Sequence, residues 1–217
     1  MSVTPSRDLR SAFGGVRNQG SRPTCCAFAC SALHAAVRPP WAELSPEYAH
    51  FHGVRRAGTK PETGVHLATM LDVLQQDGQP HEVKWAYSAT PIADPTTWGP
   101  PADVGELFHA AGKLVTSNDV AAVRTLIDAG QPVVVVLALS DAFYGPDADG
   151  VIDSTEAPDV TRIHAVVAVG HGIRGGDVVT LVRNSWGAHW GLNGCAWLSD
   201  RYLEPRLREW ATLTKVT

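Results

Sequence analysis

Residues 132–139 read PVVVVLAL, residues 164–172 HAVVAVGHG, residues 177–186 DVVTLVRNSW and residues 194–200 GCAWLSD. These are β-branched runs punctuated by glycine, proline or charge, which is the signature of strands. Upstream the pattern is helical. Thr24 to Val37 is small and apolar and stops at Arg38-Pro39-Pro40, where proline forbids continuation. A second helix is predicted from Ser45-Pro46-Glu47 to His52, with Ser45 as cap and Pro46 at the first helical position. Gly64 to Gln76 places Val65, Leu67, Met70, Leu71 and Leu74 near one helical stripe, and Asp119 to Ala129 forms a fourth helix capped by Asn118. Prolines 91, 95, 100 and 101 make the stretch from Ser88 to Gly105 a loop. Helices first and strands later predict an α+β protein: one domain over 1–217, with a mainly helical lobe at about 15–110 and a mainly β lobe at about 111–217. A site is expected in the cleft between the lobes.

Composition narrows the function. The chain has 217 residues, and its 18 Lys+Arg against 22 Asp+Glu give a formal charge of −4. Nucleic-acid and membrane-surface partners are therefore disfavoured, because phosphate contacts draw on a basic excess. Apolar residues at 44 % and charged residues at 18 % match a packed globular chain and not a disordered tail. No apolar run approaches the roughly 18 residues that suit a membrane span. The segment MSVTPSRDLR lacks the apolar core of a secretory signal.

The cysteines are Cys25, Cys26, Cys30 and Cys195. Three fall within one helix, too close to staple distant loops, and their spacing matches no common zinc pattern. Reduced thiols in a cytoplasm are the expectation, with no metal and no cofactor. Cys25 opens its helix, where the positive end of the dipole favours a thiolate. A small core residue is the commoner fate of a free cysteine, so position alone does not make Cys25 a nucleophile. A nucleophilic cysteine also needs a base and an orienting partner.

The segment NQGSRPTCCAF, residues 18–28, resembles the NQGSCGSCWAF block of papain-family (C1) cysteine peptidases. HAVVAVGHG is similar to that family's HAVxxVGYG, and NSWGAHWGLNG, residues 184–194, to its NSWGxxWGxxG. His164 lies within the roughly 130–150 residues expected after the nucleophile, and Asn184 slightly beyond. The resemblance covers nearly the whole chain. It implies a papain-like fold in which Cys25 attacks a carbonyl, His164 exchanges the proton and Asn184 orients the imidazole. Gln19 and the Cys25 backbone amide would form the oxyanion hole. Trp186 would shield the Asn184–His164 bond, and Thr63-Gly64 falls where the family lines its substrate groove. Taken singly, Gln19 reads as a surface amide, Asn184 as a turn residue and Trp186 as a core aromatic; their joint order favours the catalytic set.

The implied function is peptide-bond hydrolysis through a Cys25 thioester, on a peptide or protein substrate. The same thioester captured by an amine or thiol would make an acyltransferase or peptide cyclase, and a non-catalytic peptide-binding module is a third class. The departures from the family pattern are Arg22 where the family has a cysteine, Cys26 where it has tryptophan, and Ile163 before the histidine. Cys25 stands too near the start of this sequence to follow a prosegment of many tens of residues. The chain is similar in this to bacterial stand-alone forms, and either narrow specificity or a regulatory partner protein is expected to control it.

Two other patterns carry less. Asp147, Asp149, Gly150, Ile152, Asp153 and Glu156 fall at EF-hand positions, but the first position is Gly145 and the flanks read as strand. His50 and His52, with His66 further on, could suggest a metal, yet an HxH pair on a helix directs its rings to different faces.

Overall fold

The computed structural model describes residues 2–215. The chain is α+β and divides into two compact units: residues up to Asn18 with Leu114–Thr212, and Gln19–Lys113 with the residues from Leu213 onward.

The first unit is built on a sheet. Its hydrogen-bonded order is β8 (Leu207–Lys215, of which the residues up to Thr212 belong to this unit), β3 (Val133–Ala138), β5 (Ile163–Arg174), β6 (Asp177–Arg183), β7 (Cys195–Ser199) and β4 (Val151–Ile152), with β1 (Thr4–Asp8) also paired to β5. The β4–β7 pair is parallel; β1, β3 and β6 run antiparallel to β5. Every residue of β3 is buried, as expected of a continuous apolar run covered on both faces. One cover is α4 (Val120–Asp128), whose Val120, Val123 and Ile127 join Val133, Val135, Leu137, Val166 and Trp210 in one core. The short helix α5 (Asp200–Leu203) adds Tyr202 and Leu203 to it.

Two local expectations shift. The cap of α4 is Asp119, whose carboxylate accepts from the Ala122 amide at 2.9 Å, rather than Asn118. Residues 2–18 belong with the sheet, so the lobes are not two consecutive stretches of chain. β1 is exposed along its whole length and holds on through backbone pairing, which leaves no hydrophobic pattern to read.

The second unit packs α1 (Cys25–Ala36), α2 (Pro46–Ala57) and α3 (Leu67–Gln76), and takes in the first four residues of β2 (Ala110–Val115). The Ser45 hydroxyl accepts from the Tyr48 amide and Pro46 fills the first turn of α2. This helix runs a turn beyond His52 and ends at Gly58, whose φ of 63° suits a left-handed cap. Its core includes Phe28, Leu33, Phe51, Leu67, Met70 and Leu74. A polar knot is buried with it: Gln79 donates to the Ser31 hydroxyl at 2.6 Å and to the Ser45 carbonyl at 2.9 Å, and pairs with His34 at 3.0 Å.

Candidate active site

The sequence-read residues divide between the units. Gln19, Cys25, Thr63 and Gly64 lie in the helical unit; His164, Asn184 and Trp186 lie in the sheet unit.

In the helical unit Cys25 is the first residue of α1 and half-buried, while Cys26 and Cys30 face the interior. A residue there sits at the positive end of a 12-residue helix. Thr24 precedes it at the cap position without a side-chain capping bond, because its hydroxyl is directed to the Tyr87 hydroxyl at 2.9 Å. The turn before it is closed by the Arg22 carbonyl, which accepts from the Thr24 amide at 2.8 Å and from the Gln19 side-chain amide at 2.8 Å. Gln19 is buried. A Cβ on Gly64 would stand 3.8 Å from the Pro23 carbonyl oxygen, so the Thr63-Gly64 bend adjoins this turn.

In the sheet unit His164 is the second residue of β5, directly opposite Leu137 on β3, and Asn184 follows the last residue of β6. Strand pairing thus brings together residues twenty apart in sequence. His164 Nε2 lies 2.7 Å from Asn184 Oδ1, and that same oxygen accepts the Ser185 amide at 2.8 Å. Two donors on one oxygen fix both ambiguities: the Asn184 amide cannot be flipped without setting N–H against N–H, and the imidazole proton resides on Nε2. Nδ1 is then the basic nitrogen of the ring. Burial holds the His164 imidazole down to about 4, against the opposing pull of its bond to Asn184.

Aromatic rings surround it. Trp186 lies 4.7 Å from His164 between centroids, and Phe143 5.8 Å. Tyr144 stacks on Trp186 at 5.2 Å with planes 15° apart, while remaining 54 % exposed. Trp190 anchors the cluster by donating to the Phe143 carbonyl at 3.0 Å. Phe143 and Tyr144 went unread in the sequence, because an FY pair in a short 3₁₀ turn has no periodicity.

Two glycines of NSWGAHWGLNG are sterically required. A Cβ on Gly191 would meet the Cys195 carbonyl oxygen at 2.3 Å, and one on Gly194 would meet Val16 at 2.4 Å; both have positive φ. The Gly194 carbonyl accepts the Asn184 amide at 2.9 Å, so the loop reports directly on the position of Asn184.

The remaining patterns serve structure. Asp147 is engaged by the Asp149 and Val151 amides and by Arg174, Asp153 by Ser199 and Arg201, and Glu156 by the Ala142 amide. His50 donates from Nε2 to the Pro61 carbonyl at 2.9 Å, and His52 faces Asp77 at 3.3 Å. Among the described residues no three His, Cys, Asp or Glu side chains are grouped as metal ligands. No described helix is long and apolar enough to cross a membrane.

Comparison with known proteins agrees with this architecture. The family model described as papain family cysteine protease matches residues 71–204. A cysteine protease of Blomia tropicalis is 24 % identical over 196 residues, covering 82 % of this chain and 55 % of that protein. A cathepsin L-like proteinase of Fasciola hepatica is 32 % identical over 80 residues, covering 37 % of this chain and 24 % of that protein. The chain thus spans about half or less of the length of these relatives. In three dimensions it is similar to xylellain, a cysteine protease from Xylella fastidiosa, with a TM-score of 0.79, 21 % identity, and coverage of 100 % of this chain and 88 % of that one. A matched model spanning most of the chain, together with this fold, shows that the protein belongs to the papain family of cysteine proteases.

Proposed function

We propose that this protein is a cysteine peptidase that hydrolyses peptide bonds in a peptide or protein substrate through a thioester on Cys25. The observation that carries the reading is the His164–Asn184 pair: a buried imidazole whose Nε2 proton is committed to Asn184, leaving Nδ1 as the base. In the proposed cycle Nδ1 takes the Cys25 thiol proton as sulfur attacks the substrate carbonyl. The Cys25 amide and the Gln19 side chain stabilise the oxyanion; Gln19 Nε2 carries two hydrogens, one of them directed at Arg22. His164 passes the proton to the leaving amine. Water then attacks the thioester with the same ring as base, releasing the acid and restoring the thiol.

Trp186, with Phe143 and Tyr144, keeps water from the His164–Asn184 bond, and Thr63-Gly64 borders the substrate groove. The four cysteines stand outside any disulfide, which supports a reducing compartment such as the cytoplasm. The test compares new protein N-termini produced by wild type and by Cys25→Ala in a proteome digest, with iodoacetamide labelling read by mass spectrometry. Cleavage lost in Cys25→Ala and label on Cys25 are expected. Equal cleavage by the variant, or label on Cys26 in preference to Cys25, overturns the reading.

A further inference from the structure

The turn that carries Gln19 is held by a buried ion pair. Arg22 and Glu47 are both buried, with Nη1 2.6 Å from Oε2 and Nη2 2.9 Å from Oε1, a two-pronged contact. Arg22 Nη1 also donates to the Ser88 carbonyl at 2.6 Å. Its guanidinium carbon lies 4.9 Å from the Tyr87 ring centroid and 5.8 Å from that of Trp98. Glu47 further accepts from Trp98 Nε1 at 2.7 Å and from the Ser88 amide at 3.3 Å. Withdrawing two charges from water costs several kcal/mol each, and an apolar pair of similar volume is often as stable. Stability alone therefore gives little reason for such a pair at this place.

Geometry gives a better one. The main-chain carbonyl of Arg22 is the acceptor for the Gln19 side-chain amide. The other end of Gln19 is held as well, since the Tyr87 hydroxyl donates to the Gln19 carbonyl at 2.7 Å. With that proton spent, the same hydroxyl accepts from Thr24, which precedes Cys25. Tyr87 is itself fixed by its amide bonding Glu82 at 2.9 Å and by Phe28 edge-on at 4.6 Å.

We propose that the Arg22–Glu47 pair and the Tyr87 hydroxyl are positioning residues for Gln19, holding its side-chain amide where the oxyanion forms. The inference rests on the peptidase reading above. It fixes the turn through a charged pair at a position where the family has a cysteine.

The experiment measures kcat and KM on a peptide substrate, and the iodoacetamide rate at Cys25, for Tyr87→Phe, Arg22→Lys and Gln19→Ala, alone and combined. Tyr87→Phe keeps the ring and removes the proton donor. The double variant Arg22→Met with Glu47→Leu keeps the buried volume without stranding a charge, which guards against a simple failure to fold. Each is expected to lower kcat by about 10-fold or more with KM little changed, because an oxyanion donor acts on the transition state. Alkylation should stay within about twofold of wild type, since an oxyanion donor acts on the transition state rather than on the resting thiol. In a Gln19→Ala background Tyr87→Phe should cost less than about twofold, the non-additivity of residues acting through one another.

A full Tyr87→Phe loss that persists without Gln19 overturns the proposal, as does alkylation slowed in parallel with turnover or a change confined to KM. Those outcomes leave the peptidase reading standing. A wild type without Cys25-dependent turnover overturns both.

Discussion

The two units hold their candidate reactive groups by opposite means. In the sheet unit His164 is placed by strand register and enclosed by rings, and its polar contact is the bond to Asn184. In the helical unit the turn before Cys25 is cross-tied by charge and hydroxyls, with Arg22, Glu47, Tyr87 and Thr24 all engaged. An apolar enclosure sets the protonation of what it encloses; a polar network sets the direction of its donors. The contrast teaches that an imidazole needs a defined proton, whereas an oxyanion donor needs a defined aim. Arg206 in the sheet unit shows the rule at work elsewhere: it is fully buried over the Tyr202 ring at 3.7 Å and fastens the Tyr202 carbonyl and the Ser140 hydroxyl.

The largest effect tests the proposed base. His164→Ala is expected to lower kcat/KM by roughly 10³-fold or more, and Asn184→Ala by roughly 10-fold to 10³-fold, since the second leaves a ring that is only misoriented. Asn184→Asp sharpens the comparison, because a carboxylate in that enclosure would raise the imidazole and shift the acid limb of the rate profile upward. Steady-state kinetics from pH 4 to pH 8 on the three variants would check it. Asn184→Ala costing as much as His164→Ala would mean that enclosure by rings does not orient the base.

The next effect concerns stability in acid. Burial pushes His34 down to about 4 from 6.5, against its bond to Gln79 and with Arg38 nearby adding to the shift. The unfolded chain then binds more protons than the folded one between those values. Stability is therefore complete above about pH 6.5 and falls as pH drops toward 4, by about 3 kcal/mol from this residue alone. His164, lowered to about 4 for the same reason, adds in the same direction from the sheet unit. Urea denaturation followed against pH should show the loss, and His34→Asn, which can still donate to Gln79, should flatten part of it. An unchanged slope in His34→Asn would remove the polar knot as a source of acid sensitivity.

What was legible in the sequence follows the range of the interactions. Most helices and strands announce themselves through side-chain pattern, which is local, and the α+β class holds, although β1 precedes the helices. The candidates Gln19, Cys25, His164 and Asn184 were readable because three short blocks carry them. The contacts that hold them were not. Arg22 and Glu47 are 25 residues apart, Tyr87 and Gln19 68, and a hydrogen bond across such a distance leaves no period. The same applies to β1, whose pairing with β5 is made by backbone and not by side chains. Arg22 was visible as a departure from the family's cysteine, which marked the position without revealing Glu47 as its partner.

The smallest effect tests the outer layer of the aromatic enclosure. Tyr144 covers one face of Trp186 and is half open to solvent, with Arg162 6.0 Å from its ring. An aromatic pair of this kind contributes about 0.5–1.5 kcal/mol beyond area burial, so Tyr144→Ala should cost no more than about 10-fold in kcat/KM. Tyr144→Phe should cost almost nothing, because the stack and not the hydroxyl does the covering. If the layer acts by keeping water from the His164–Asn184 bond, the loss in Tyr144→Ala should appear in kcat, and hydrogen exchange at the Ser185 amide, which shares the Asn184 oxygen, should quicken with it. A loss confined to KM would instead make Tyr144 a substrate contact, and the enclosure of His164 would then end at Trp186 and Phe143.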